Sequence, residues 1–228
     1  MERIPSRYDF SNLAKNYGSW FQTREGKLFD SYGKKAIKKH LAPGTKGMKL
    51  LDVGCGTGHW SSFFAEYGYR VTAIDVSQVM IETAMRKQTG SVTYLAADAH
   101  ELPFPDKQFD VTAAITTIEF ARNPAGAIRE MVRCTKKHGG IVLIGVLNFC
   151  ARTNKIHRNN GIPPYSDAWF FSPQQVYNML APYGKPDIRT AVFIPYRKSV
   201  LPYAYLLNTL GSAFRLSTGA LIVGTVEV

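Results

Sequence analysis

Cysteine is scarce in this chain of 228 residues, with Cys55, Cys134 and Cys150 alone. Their spacing matches no zinc or disulfide framework, and an odd number of thiols fits a reducing compartment. The five histidines form no HExxH pair, so no metal site is expected. No apolar run approaches the roughly 20 residues that span a bilayer. The opening Met1-Glu-Arg-Ile-Pro-Ser-Arg7 lacks the apolar stretch of a secretory leader. A soluble, cytoplasmic protein is the expectation. Repeats and low-complexity tracts are also missing. With 45% hydrophobic and 20% charged residues, the chain can bury a core and does not read as disordered.

Acidic residues are few relative to basic ones, giving a formal charge of +11, and the imbalance is local. Residues 1–48 hold ten Lys/Arg against four Asp/Glu and residues 149–228 hold eight against three, whereas residues 49–148 balance at ten each. Such flanks attract anions such as phosphates, lipid head groups or carboxylated substrates, or they simply form a solvated surface.

From residue 49 to 148 short apolar runs alternate with amphipathic stretches, the pattern of a parallel sheet covered by helices. Strands are expected at 49–53, 70–74, 92–96, 111–115 and 141–147, and helices at 58–67, 77–87 and 125–134, with Ser77 as an N-cap. Upstream, residues 11–40 read as helical, since Leu13, Tyr17, Trp20 and Phe21 recur near helical spacing. Lys34, Lys35, Lys38 and Lys39 crowd the end of that region, where positive charge suits a helix C-terminus. Downstream, Ser172-Pro173 opens a helix to about residue 180, and two last strands are expected at 188–194 and 220–226. Between them lies an apolar, aromatic segment, 200–216, that a plain hairpin would not need. One domain is expected over 1–228, with 1–48 as a helical lid, 49–148 as a core and 149–228 as acceptor-side segments.

The strongest motif is Leu50-Leu-Asp-Val-Gly-Cys-Gly-Thr-Gly58, an apolar strand running into a glycine turn that feeds a helix. Glycines permit a sharp turn and close approach of a ligand, and the helix start offers free N–H groups. A dinucleotide fingerprint read from Gly54 would require glycine where His59 stands, and the Lys-Ser/Thr ending of a P-loop is missing. The acid Asp52 suits a cationic ligand better than a pyrophosphate. Val71-Thr-Ala-Ile-Asp75 then closes a second strand with an acid able to accept both hydroxyls of a ribose.

The spacing Asp52-x-Gly54-x-Gly56-x-Gly58 resembles that of class I S-adenosylmethionine-dependent methyltransferases, in the small-molecule, type 11-like branch. The resemblance extends to Ala96-Ala-Asp98-Ala99, to Ala114-Ile-Thr-Thr-Ile-Glu-Phe120, to Tyr17-Gly-Ser-Trp20-Phe21-Gln-Thr-Arg-Glu-Gly26, to Phe170-Phe-Ser-Pro173 and to the closing Gly219-Ala-Leu-Ile-Val-Gly224. It implies a Rossmann-like, doubly wound α/β fold with a mostly parallel seven-stranded sheet, helices on both faces and an N-terminal helical lid. It further implies S-adenosylmethionine as cofactor, with S-adenosylhomocysteine as product. Asp52 would face the methionine end, Asp98 would accept from the adenine amino group and Ala99 would contribute backbone. Gly54, Cys55, Gly56, Asp75, Val76, Met80 and Thr116 fall in the same site, with Tyr17 and Trp20 on the lid.

Many relatives carry histidine where this chain has Glu119, a departure that leaves Glu119 free to be solvated or to pair with a lysine. Glu119, His157 and Tyr165, all on expected loops, are the candidates for a general base; a thiolate or stabilised carbanion acceptor would need none. The acceptor is expected to be a small or lipid-like molecule carrying negative charge, with 200–216 as a greasy wall, a membrane-surface contact or a dimer interface. The alternatives are a nucleic-acid methyltransferase and a non-catalytic binding protein. No Asn/Asp-Pro-Pro-Tyr/Phe motif is present for a flipped base: Gly161-Ile-Pro-Pro-Tyr165 lacks the leading Asn or Asp.

Overall fold

The computed structural model describes residues 17–45, 47–87, 91–161, 165–195 and 198–228. The periodicity beginning at Leu13 and the Ile-Pro-Pro of the 161–165 stretch lie outside the described residues.

Seven strands form one sheet: β1 (Lys49–Val53), β2 (Arg70–Asp75), β3 (Val92–Ala96), β4 (Val111–Ile115), β5 (Ile141–Leu147), β6 (Asp187–Ala191) and β7 (Leu221–Glu227), in the order β3-β2-β1-β4-β5-β7-β6. The first five pair in parallel, while β7 runs antiparallel between β5 and β6. β1 and β4 each have a neighbour on both edges and helices on both faces, which explains why they read as mostly apolar runs. Alternate side chains divide between two layers. Leu50, Val71, Leu143 and Val223 pack with Ile37 of α1 (Arg24–His40), Phe63 and Phe64 of α2 (His59–Glu66) and Ile81 of α3 (Gln78–Lys87). Leu51, Val53, Ile144 and Ile222 pack with Ile128 and Met131 of α4 (Pro124–Cys134) and Val176 and Leu180 of α6 (Pro173–Leu180).

The expected strands and the first three core helices fall within a residue or two of their expected ends, except that β6 stops at Ala191 rather than continuing to 194. At Val192 the backbone turns into the left-handed region (φ 66°), which ends strand pairing. Ser77 does act as a helix cap, its Oγ accepting from Met80 N (3.4 Å). Ser172 and Gln175 make a reciprocal capping box at the start of α6.

A correction concerns α5 (Arg152–Asn159), expected as loop. Its sequence, Arg-Thr-Asn-Lys-Ile-His-Arg-Asn, has no apolar stripe, and the helix is anchored instead by buried Asn154. The Asn154 amide donates to the carbonyls of Asn148 (3.0 Å) and Ala220 (2.8 Å), tying α5 to the ends of β5 and β7. The 200–216 segment is also helical, with α7 at Ala204–Ala213.

The turn before α1 explains part of the Trp-Phe-x-Thr-x-x-Gly pattern. Residues Tyr17–Gln22 form a 3-10 helix, and Thr23 caps α1 by accepting from Gly26 N (3.0 Å) while donating to Trp20 O (2.7 Å). A Cβ at Gly26 would overlap the Trp20 carbonyl, so the turn can lie against the helix only over glycine. Phe21 stacks on His59 (centroids 3.9 Å apart), and His59 Nε2 lies 2.6 Å from Asp30 Oδ1, fastening the turn to the first residue of α2.

Candidate active site

A cleft opens at the carboxyl ends of β1, β2, β3 and β4, where the sheet order reverses and open α/β sheets hold ligands. Eight expected residues line it: Gly54, Gly56, Asp75, Val76, Met80, Asp98, Ala99 and Thr116. Four separate motifs thus converge on one cavity.

The glycine turn is held at the floor. Gly54 N and Cys55 N both donate to Ile74 O (2.8 Å each), so the chain leaves β1 bent over the end of β2. Gly54 has φ +73°, and a Cβ there would collide with Thr117, whose hydroxyl donates to Gly54 O (3.0 Å). Glycine at 54 is therefore required twice, by conformation and by space.

Asp75 is clamped by backbone. Its Oδ2 accepts from Gly56 N (2.9 Å) and its Oδ1 from Ser77 N (2.9 Å). Each carboxylate oxygen keeps a second acceptor position, and Asp75 borders the cleft, so the pair suits two adjacent hydroxyls. Burial raises its pKa, while the two N–H donors act against that. On the opposite wall Asp98 Oδ1 accepts from His100 N (2.9 Å) and lies 2.7 Å from His100 Nδ1. Asn123 N donates to His100 Nε2 (3.3 Å), so the ring proton sits on Nδ1 and faces Asp98. Asp98 Oδ2 has no partner among the described residues and can accept from a ligand amine. Thr116, at the end of β4, holds φ +51° although it is β-branched, a strained conformation of the kind that collects at binding sites.

Asp52 lies differently from expectation. It does not border the cleft; it is buried beneath the glycine turn, accepting from Ser61 Oγ (2.6 Å). Burial pushes its pKa up to about 7, the Ser61 hydroxyl opposes this and nearby Asp75 adds to it. A cation above the turn would favour the ionised form. Cys55 is likewise buried away from the cleft, its thiol pushed well up by burial. Trp20 packs edge-on against Phe21 and Phe29 rather than into the cleft. The side chain of Tyr17 lies outside the described residues.

The three general-base candidates come together, and none borders the cleft. Glu119 is neither solvated nor paired with a lysine among the described residues: it is fully buried, its Oε1 accepts from Leu147 N (3.0 Å), and its Oε2 has no hydrogen-bond partner among them. Burial pushes its pKa up to about 8, against the Leu147 N–H, so the acid is largely neutral at pH 7. Burial and then Glu119 push the Tyr165 hydroxyl up to about 12. The His157 ring lies 4.8 Å from that of Tyr165, on α5 rather than on a loop, and burial lowers its pKa. Phe120 separates this cluster from the cleft, which it lines. Sequence reasoning assigned no role to Thr117, Phe120 or His100. His100 follows the Asp98-Ala pair directly, and that adjacency was the available signal.

Comparison with known proteins agrees with the geometry. The family model described as "Methyltransferase domain" matches residues 51–143. The chain is 35% identical over 101 residues to malonyl-[acyl-carrier protein] O-methyltransferase of Serratia marcescens, covering 44% of this chain and 39% of that one. Against demethylmenaquinone methyltransferase of Renibacterium salmoninarum it is 35% identical over 142 residues, covering 61% and 54%. It thus spans about two fifths to a half of these curated relatives. A crystal structure of an S-adenosylmethionine-dependent methyltransferase of Thermotoga maritima superposes with a TM-score of 0.73 at 22% identity, covering 95% and 96% of the two chains. The chain thus resembles the class I S-adenosylmethionine-dependent methyltransferases, in its match to the methyltransferase domain and in its fold. S-adenosylmethionine is the cofactor of that class, and the cleft fits it: a clamped diol acceptor, an unpartnered acceptor oxygen for an amine and a glycine floor over a buried acid.

Proposed function

We propose that the protein transfers the methyl group of S-adenosylmethionine to a small or lipid-like acceptor carrying negative charge. The observation that supports this best is the convergence of Asp75, Asp98 and the Gly54–Gly56 turn on one cleft at the switch point of the sheet. Asp75 accepts both ribose hydroxyls, Asp98 Oδ2 accepts from the adenine amino group, and Asp52 offsets the positive charge of the methionine end from beneath the turn. When bound, the cofactor supplies a methyl group on a sulfonium, already activated for attack. The protein's task is to orient the acceptor behind it and keep water away, which can supply roughly 7 to 11 kcal/mol of the barrier. Thr116 and Phe120 border the cleft on the side towards β5 and are the residues placed to guide the acceptor.

The acceptor class draws on the names of the relatives, which act on a carrier-bound malonyl group and on demethylmenaquinone, and on the basic flanks. The turn carrying Tyr17 and Trp20 serves as a lid, and hydrogen exchange in residues 17–26 slows when S-adenosylhomocysteine binds; equal exchange with and without ligand reduces it to packing.

Calorimetry tests the cofactor assignment. S-adenosylhomocysteine is expected to bind and NAD to give no heat, and Asp75→Ala weakens binding by about 1 to 3 kcal/mol, the loss of a hydrogen-bonding partner in a buried site. Unchanged affinity in Asp75→Ala removes that carboxylate from the site.

A further inference from the structure

We infer that the outer face of α7 docks onto a lipid bilayer carrying anionic head groups. This rests on the geometry of α7 and its neighbours and stands independently of the methyl-transfer reading.

In α7 the usual distribution of side chains is inverted. The face turned to the protein carries Ala204, Asn208 and Gly211, all buried. The face turned to solvent carries Leu206, Leu210 and Phe214 at i, i+4 and i+8, with Tyr203 and Leu207 beside them. Phe214 is 72% exposed and Leu206 52%. The orientation is fixed by specific contacts. Asn208 accepts from Phe193 N (2.9 Å) through its Oδ1 and donates to Phe193 O (3.1 Å) and Ala204 O (2.8 Å), and Gly211 sits against the Phe193 ring. Rotating the helix to bury its leucines would break the Asn208 clamp and leave its amide in an apolar layer. A fixed, contiguous apolar stripe of this kind marks an interaction surface.

Charge selects the occupant. Between α1 and α7, over β6, lies a wide cleft bordered by Lys35, Lys39 and Arg215, which have no carboxylate partner among the described residues. Its one acid, Asp187, is engaged by Arg189 (3.1 Å) and lies 3.4 Å from His40. Residues 188–226 contain Arg189, Arg197, Lys198 and Arg215 and no Asp or Glu. Arg215 directly follows Phe214 of the stripe, and the cleft bearing Lys35 and Lys39 borders the adjoining face of α7 at Tyr205, Thr209 and Ser212, so cations lie to one side of the apolar face, as a surface entering an anionic bilayer requires. A second copy of the chain would bring these same cations against one another, at an overall charge of +11 per chain. Tyr203, Tyr205 and Phe214 add aromatic rings of the type that settle at the membrane–water boundary. Among the described residues no helix is long and apolar enough to cross a membrane, so the contact is peripheral.

Sedimentation with vesicles tests the assignment. The full chain is expected to pellet with phosphatidylcholine vesicles containing phosphatidylglycerol and to remain in solution with phosphatidylcholine alone. Combining Leu206→Glu, Leu210→Glu and Phe214→Glu releases it, while thermal unfolding shows these exposed changes leave the fold intact. Combining Lys35→Ala, Lys39→Ala and Arg215→Ala weakens partitioning by about tenfold or more. The proposal is overturned if the wild type stays in solution with both vesicles, pellets equally with both, or if the glutamate variant still pellets. It is also overturned if sedimentation equilibrium finds a dimer that the glutamate variant turns into monomers, which gives the face to a second copy.

Discussion

Glu119 shows how little a side chain's identity says without its surroundings. In sequence it occupies a loop after the fourth strand and reads as a solvated acid, a partner of a lysine or a candidate general base. In the structure its carboxyl is fully buried and accepts from Leu147 N at the end of β5. Because its pKa is raised from the ordinary 4.5 to about 8, the folded state binds a proton there that the unfolded state releases above about pH 4.5. The contribution to stability is therefore full below pH 4.5 and declines as pH rises towards 8. Thermal unfolding should show Glu119→Gln, which keeps the shape and cannot ionise, losing less stability than the wild type between pH 5 and 8. Parallel curves would mean that Glu119 is ionised in the fold. Asp52 follows the same logic at a lower pH. With its pKa near 7, cofactor binding should weaken as pH falls below 7 and should release protons, and Asp52→Asn should remove that dependence. Calorimetry in buffers of different ionisation enthalpy reads both effects.

Elements were legible where their residues faced one environment throughout. β1, β4 and β5 run between glycine or acid punctuation and are buried along almost all of their length, so a run of mostly apolar letters marks them with their ends. α5 was hidden because buried amides hold it instead of an apolar stripe, and periodicity detects only the latter. The position of β7 between β5 and β6 could not be read either, since pairing order depends on contacts distant in sequence. The cleft residues on strand ends were legible because strand, turn and acid follow one another. Asp52 and Cys55 were expected in the same site and lie buried behind the cleft wall, because the chain curls over them. At the start of α1, Thr23→Ala removes a cap and should cost about 1 kcal/mol of stability. Gly26→Ala should cost more, because it displaces the Trp20 carbonyl and with it the Phe21–His59 stack. Denaturant unfolding compares them, and equal stability of Gly26→Ala and wild type would show that the turn packs loosely on α1.

Over the whole molecule the charge is divided as the fold is divided. The neutral 49–148 unit supplies the cleft, and the basic flanks supply α1, β6 and α7 at the far edge of the sheet. The lysines of α1 are not equivalent there. Lys34 is bound to Asp30 (2.9 Å), and Lys38 lies over the rings of Phe63 and Tyr67, whereas Lys35 and Lys39 border open space. Replacing Lys35 and Lys39 with alanine should lower kcat/KM for an anionic acceptor at low salt and flatten its dependence on ionic strength. An unchanged salt profile would leave these lysines as solvating groups. The central claim, that the cleft at the ends of β1 to β4 is a cofactor site, is tested most directly by a crystal structure with S-adenosylhomocysteine. The ribose hydroxyls should lie within hydrogen-bonding distance of Asp75, the adenine amino group on Asp98 Oδ2 and the sulfur towards Thr116. Density for the ligand elsewhere, or a cleft that stays empty at saturating ligand, would contradict the account.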